Sequence, residues 1–335
     1  MQRRTFNLLI AGTAVSVAAA GIALATGDHD LSPALSGERV FPGLAAKLGE
    51  LAWLRITRGA MTINFNLIAG HWVVVEKGNY AAAEERLRKL LGALAAAELV
   101  EPRTDRVELL PRLDLDDPAN GKSTLVAVQD RAGAQVAALI IGRTRPSSLG
   151  GGDAGVYLRK ANSGQAWLAR GAFDLSGGML DWIDRRVIDL PAAAIALVVL
   201  TAPDGTSVVL TRATSDAAFA IEGANAAPEP KSAAALAGAL TALDLDDVKP
   251  AAEMPLPADG AATASFTTFD GLIVGARLSS PGDADWVVFD VTGFDKASDE
   301  AKTLNTRLSR WSFRIAVERA KLLRMTLADF QPHGS

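Results

Sequence analysis

Residues 54–76 read Leu54-Arg-Ile-Thr-Arg-Gly-Ala-Met-Thr-Ile-Asn-Phe-Asn-Leu-Ile-Ala-Gly-His-Trp-Val-Val-Val-Glu76, and their periodicity decides the fold class. Leu54 and Ile56 alternate with Arg55 and Thr57, and Ile63 and Phe65 alternate with Asn64 and Asn66. Side chains on a strand point to opposite faces in turn, so each run buries one face and wets the other. Glycines separate the runs, and Trp72-Val-Val-Val-Glu76 follows a Gly-His pair, which predicts a three-strand meander. The period then changes. From about Tyr80 to Ala97, Leu87, Leu90, Leu91 and Leu94 form one apolar stripe, while Glu84–Arg88 and Glu85–Lys89 lie four apart on the wet side. That spacing predicts an amphipathic helix over one face of the meander, with Asn79 as its cap.

The same order returns in the second half. Residues 195–200 are strand-like, Ala202-Pro-Asp-Gly205 marks a turn, and Ser207-Val-Val-Leu-Thr211 and Ala217-Ala-Phe-Ala-Ile221 predict two more strands. A Pro- and Ala-rich link leads into a helix near residues 231–243 with Leu236, Leu240 and Leu243 on one side. Both helices end in an acidic or proline-containing exit, Glu101-Pro102 in one half and Asp246-Asp247-Val-Lys-Pro250 in the other. We read this as a duplicated α+β unit of antiparallel meander plus covering helix, with chance recurrence as the other reading. The expected organisation is an amino-terminal segment at 1–30, a first unit at 41–190 and a second at 191–330.

Further strands are expected at 135–141, 155–159 and 165–169, and in the second half at 265–269, 272–277 and 286–290. The stretch Met179-Leu-Asp-Trp-Ile-Asp-Arg-Arg-Val-Ile-Asp189 predicts a short helix packed by Leu180, Trp182 and Ile183. A helical segment through Leu304 and Leu308 precedes the alternating Trp311-Ser-Phe-Arg-Ile-Ala-Val317, and a short basic helix is expected at 318–329.

The amino terminus carries the strongest signal outside these units. Arg3 and Arg4 precede residues 6–25, which hold no charged side chain. About 20 apolar residues of helix cross a bilayer, and paired arginines stay on the cytoplasmic side. A retained single-pass anchor in a bacterial inner membrane, with the body in the periplasm or otherwise outside the cytoplasm, is the leading expectation. Ala23-Leu24-Ala25 also has the small-x-small form of a cleavage site, and Arg3-Arg4-Thr5-Phe6 resembles a twin-arginine export signal. The anchor and the cleaved signal both export the body; a buried core helix is the third reading.

Composition narrows the chemistry. The chain has 335 residues and no cysteine, which excludes disulfides, thiolate nucleophiles and cysteine-ligated metals. The net charge is -4, and about -6 once Arg3 and Arg4 are set aside. Phosphate-backbone affinity needs clustered cations, so no nucleic-acid partner is expected. His29, His71 and His333 are the only histidines, and only His71 falls well inside a patterned region.

No candidate constellation rises to a catalytic, cofactor or metal site. The glycines at 150–152 precede a strand, and no Gly-Lys-Ser/Thr follows, so a turn is expected. Asp114, Asp116 and Asp117, and again Asp244, Asp246 and Asp247, stand in a repeated Leu-Asp-Leu-Asp-Asp string. Neither has the ligand spacing of a calcium loop, and both are expected at helix exits and turns. Asp181, Asp184 and Asp189 beside Arg185 and Arg186 predict local ion pairs and caps. No Gly-x-Ser-x-Gly elbow accompanies His71. Trp72, Trp167, Trp182, Trp286 and Trp311 lie within patterned segments and read as packing pieces.

Several of these segments taken together resemble the bacterial DUF4340 family. They are the amino-terminal apolar segment, the meander-plus-helix unit ending near Leu99, the Gly155-Val-Tyr-Leu-Arg159 to Gln165-Ala-Trp-Leu168 hairpin, and Leu180-Asp-Trp-Ile-Asp-Arg-Arg186. Ile188-Asp-Leu-Pro191 and Thr268-Phe-Asp-Gly-Leu272 follow, so that the resemblance covers about residues 50–330. Members associated with ABC-type transport systems imply, by analogy, an accessory or scaffold role with a membrane or envelope protein partner, and no catalytic residue. An envelope enzyme or a ligand-binding module is the alternative expectation.

Overall fold

The computed structural model describes residues 37–146, 155–224 and 227–331. The expectations placed on Arg3, Arg4, residues 6–25, His29, the glycines at 150–152 and His333 lie outside the described residues. Among the described residues no helix is long and apolar enough to cross a membrane.

The chain is mixed α+β, built on two antiparallel sheets with few helices. In chain order the first half forms β1 (Glu38–Arg39), α1 (Leu44–Lys47), β2 (Leu51–Arg58), β3 (Met61–Ile68), β4 (His71–Val74), β5 (Tyr80–Ala81) and α2 (Glu84–Ala96). It continues with β6 (Glu98–Pro102), β7 (Thr124–Asp130), β8 (Gln135–Arg145), β9 (Gly155–Lys160) and β10 (Trp167–Arg170). The sheet order is β1-β6-β10-β9-β8-β7-β2-β3-β4-β5. The second half forms β11 (Arg186–Ile188), β12 (Ile195–Thr201), β13 (Ser207–Thr211), β14 (Ala220–Ile221), α3 (Pro230–Ala237), β15 (Leu243–Pro250) and β16 (Ala262–Thr268). It ends with β17 (Leu272–Ser279), β18 (Trp286–Gly293), α4 (Ser298–Leu308), β19 (Trp311–Ile315) and α5 (Val317–Leu323). Its order is β11-β15-β19-β18-β17-β16-β12-β13-β14.

The period-two runs bury the face expected of them. Leu54, Ile56, Ile63, Phe65, Val126, Val128 and Leu139 join Leu87, Leu90, Leu91 and Leu94 of α2 in one core. Removing such side chains from water, at about 25 cal/mol per Å², is the main term holding the helix on the sheet. The same cluster runs on into Leu236, Leu240, Phe266, Val274, Phe289 and Phe313 of the second half, so the two sheets share one core.

Several local expectations need correction. Helix α2 starts at Glu84 instead of Tyr80, and Asn79 does not cap it. Gly78 and Asn79 both have positive φ (66° each), a turn that swings Tyr80 into strand β5 and away from the helix. Helix α3 stops at Ala237, not 243, because Leu243 already opens β15. The acidic exits are strands: β6 begins at Glu98, just after its helix, and β15 begins at Leu243, after a turn over 238–242. In β15 Leu243, Leu245 and Val248 point inward, with an irregularity in register between Leu245 and Asp247, and this break disguises the alternation. The third strand expected at 217–221 is reduced to β14. The segment 179–189 is one 3-10 turn, Met179–Trp182, followed by β11, and the last helix divides into α5 and the 3-10 turn Leu327–Phe330. The chain changes sheets slightly ahead of 191, since β11 already pairs with β15.

Two long crossovers set the outer faces. Residues 103–123 link β6 to β7, although β10, β9 and β8 lie between those strands in the sheet. Residues 251–261 link β15 to β16 past β19, β18 and β17. The first crossover packs solidly: Leu110 and Leu115 form a second apolar cluster with Ile140 and Ala166, flanked by Leu125 and Tyr157.

Candidate functional site

His71 is exposed at the start of β4, with Nδ1 3.2 Å from Glu84 Oε1, and no serine joins the pair among the described residues. The acidic strings are held by backbone and cations. Asp116 accepts from the Lys122 N–H, and Asp117 from the Ala119 N–H, which folds the loop on itself. Asp244 meets Arg186 at 2.7 Å, Asp246 lies 3.6 Å from Arg185, and Asp247 meets Lys77 at 2.6 Å. Only the first string lies in a turn; the second is strand β15, and its carboxylates serve as cross-strand and inter-sheet partners. Asp181 accepts from the Gly178 N–H at 2.7 Å, closing its own 3-10 turn. Among the described residues no group of His, Asp or Glu is arranged to hold a metal.

The two halves are joined by an aromatic cluster, a close backbone approach and an ion pair. Tyr80 packs edge-on against Trp311 at 5.0 Å and Phe313 at 6.2 Å between ring centroids. Burial raises its phenol above the ordinary value, and Asp184 adds to the shift while Arg307 opposes it. A Cβ on Gly78 would stand 2.5 Å from Pro250 Cγ, so these two segments approach as closely as glycine permits. Trp182 is fully buried against Phe65, and the Arg86 guanidinium stacks on its ring at 4.2 Å. Arg86 also donates to the Ser176 and Asp181 carbonyls, tying α2 to the segment that leads into the second sheet. Asp174 beside it is held below the usual carboxylate range, chiefly by hydrogen bonds from the Ser176 hydroxyl and N–H, with Arg86 assisting. A cleft of about 790 Å³ opens next to Arg86, with Lys89, Arg170 and Phe173 on its walls. Its cations are partly engaged: Lys89 with Glu85 and Arg170 with Glu98.

A second cavity, of about 530 Å³, lies under the shorter crossover. Leu256 and Pro255 form its roof, and β16, β17 and β18 form its floor. The register places Thr263, Arg277 and Val288 in one row across the strands, and Ser265, Gly275 and Asp290 in the next. Arg277 Nε is buried with no hydrogen-bond partner. Among the described residues no ion pair or side-chain hydrogen bond engages Asp290, Ser265, Thr263 or Ser309, all of which line the same space. A guanidinium, a carboxylate and three hydroxyls therefore line one open cavity, with Arg277 and Ser265 half-buried and Asp290, Thr263 and Ser309 exposed at its mouth. Sequence reading missed these residues. The signal was present in β17, where Gly275 and Arg277 interrupt an otherwise apolar strand.

The sequence model of DUF4340, a domain of unknown function, matches residues 72–259, more than half of the chain. The chain belongs to the DUF4340 family. No curated protein and no solved structure matches it. The DUF4340 match runs from β4 through the junction to the second crossover, so it takes in parts of both sheets.

Proposed function

We propose that this DUF4340 protein is a membrane-tethered, extracytoplasmic accessory or scaffold protein, held through residues 6–25 and associated with an ABC-type transport or other envelope complex. The observation that carries the reading is the junction. Lys77–Asp247, Tyr80–Trp311 and the shared core make two sheets into one stiff body, as a spacer between a membrane and a protein partner requires. The charge-free stretch behind Arg3 and Arg4 supports the tether and its orientation.

The same reading takes the two halves as copies of one unit. Its support is the strand order: reading β1, β6, β10, β9, β8, β7, β2, β3, β4 beside β11, β15, β19, β18, β17, β16, β12, β13, β14 gives the same path nine strands long, with β5 as an addition. A helix follows the meander in each half, and a crossover follows the next strand.

The test is crosslinking in intact native cells, gentle membrane extraction and mass spectrometry of the purified complex. Reproducible recovery of full-length protein with a transporter or envelope partner supports the proposal; recovery as a solitary, shortened, soluble protein contradicts it. The unspent polar cavity favours a second reading, a ligand-binding module without turnover.

A further inference from the structure

The cavity under the second crossover differs from its counterpart in the first half in a way that packing does not explain. In the first sheet Leu125 and Ile140 stand where Thr263 and Arg277 stand in the second, and Ala127 and Ala138 where Ser265 and Gly275 stand. There the crossover presses down on the strands. A Cβ on Gly142 would lie 2.2 Å from the Leu113 carbonyl oxygen, and Leu110 and Leu115 seal the space over Ile140. The same place in the fold is thus filled with hydrocarbon in one half and left hollow and polar in the other.

Gly275 sharpens the contrast. It lies inside an eight-residue strand, has no positive φ, and pairs in regular register on both sides. An added Cβ would meet only the Asp290 carbonyl oxygen, at an ordinary 3.4 Å. Neither backbone nor packing calls for glycine here, and mid-strand glycine weakens a sheet unless something must come close to it. Its missing side chain opens the floor between Ser265 and Asp290.

The charges define what fits. Arg277 and Asp290 are diagonal neighbours on one sheet face, about 7–8 Å apart at the backbone, and no ion pair joins them among the described residues. A free anion would satisfy Arg277 and be repelled by Asp290, and a free cation the reverse. A molecule carrying both charges satisfies both. We propose that the cavity binds a small zwitterion of amino-acid or dipeptide size, its carboxylate on Arg277 and its ammonium on Asp290. Ser265, Thr263 and Ser309 serve its remaining polar atoms, and Leu256 and Pro255 cover its side chains. The volume lies within the range of small-molecule sites. Binding here does not depend on where the protein resides or what it docks to, so it stands or falls apart from the scaffold proposal.

The experiment is calorimetric or NMR titration of the detergent-solubilised full-length protein with alanyl-alanine, N-acetyl-alanyl-alanine and alanyl-alanine amide. The expected result is saturable binding of alanyl-alanine, weakened roughly tenfold or more by either cap, each of which removes one charge. Arg277→Gln and Asp290→Asn should each weaken it by a similar factor while cooperative unfolding is kept. Gly275→Val should abolish it by filling the floor, and the two charge variants carry the test if that protein does not fold. Absence of saturable alanyl-alanine binding overturns the proposal. So does equal binding of the capped forms, or binding untouched by Arg277→Gln and Asp290→Asn.

Discussion

Replacing Lys77 by Met tests whether the two sheets act as one body. Lys77 sits in the 3-10 turn after β4, and its Nζ donates to Asp247 Oδ1 of β15 at 2.6 Å, with side chains 18% and 20% exposed. The same oxygen accepts from the Val248 N–H at 2.8 Å, which fixes the carboxylate in place. Removing one partner of a fully buried pair costs about 3–5 kcal/mol, because the other charge is left uncompensated. With roughly a fifth of each side chain open to water, solvent recovers part of that, and Lys77→Met should cost about 2 kcal/mol. Lys77→Met with Asp247→Leu removes both charges at similar volume and should lie closer to the parent than the sum of the single changes, a coupling of at least about 1.5 kcal/mol. Urea unfolding of the solubilised full-length protein measures all four corners of the cycle. Lys89→Met, which breaks an exposed pair with Glu85, is the control and should leave the midpoint unchanged. A coupling below about 0.5 kcal/mol would show that the sheets do not meet through this pair and would refute the junction as drawn.

Three further outcomes follow from the packing. Trp311→Ala, which empties the space against Tyr80, should cost about 3–5 kcal/mol and should split one unfolding transition into two by fluorescence and calorimetry. Gly142→Ala and Gly92→Ala should move stability in opposite directions. The first forces a Cβ to within 2.2 Å of the Leu113 carbonyl and should destabilise by roughly 1–3 kcal/mol, while the second adds a methyl to open space inside α2 and should stabilise by about 0.5–1 kcal/mol, both read from denaturant midpoints. Asp285 supplies a pH dependence. Burial acts to raise its pKa, but hydrogen bonds from Arg324 and Ser280 outweigh that and hold it below the ordinary carboxylate value. A depressed folded-state value stabilises above the unfolded pKa of about 3.9 and loses that effect as pH falls through the folded value. The stability gap between the parent and Asp285→Asn should therefore be full near neutrality and shrink toward zero in acid.

The fold class was legible because Leu54 and Ile56 of β2, Ile63 and Phe65 of β3, Val198 and Leu200 of β12, Val208 and Leu210 of β13, and Leu272, Val274, Ala276 and Leu278 of β17 recur at period two and are buried in one shared core. The strands that escaped are those whose alternation is broken or carried by acids. In β15 the carboxylates Asp244 and Asp247 find Arg186 and Lys77 across the structure, so what reads locally as a turn is a strand paid for by partners some 58 and 170 residues away. Asn79 looked like a cap because it precedes the helical stripe, yet Tyr80 pairs into β5 and packs on Trp311, and the helix starts only at Glu84. The cavity was not legible at all. Thr263, Ser265, Arg277 and Asp290 come from three strands and meet only through register.

The tethered, outward-facing body is the centre of the account, and the absence of native cysteine makes it directly measurable. Ala132→Cys places a single thiol in the exposed turn between β7 and β8. Intact spheroplasts are treated with a membrane-impermeant maleimide, with and without prior lysis, and the membrane fraction is assayed for label. The account predicts full labelling without lysis, on a protein that stays with the membrane. Labelling only after lysis would place the body on the cytoplasmic side and contradict it.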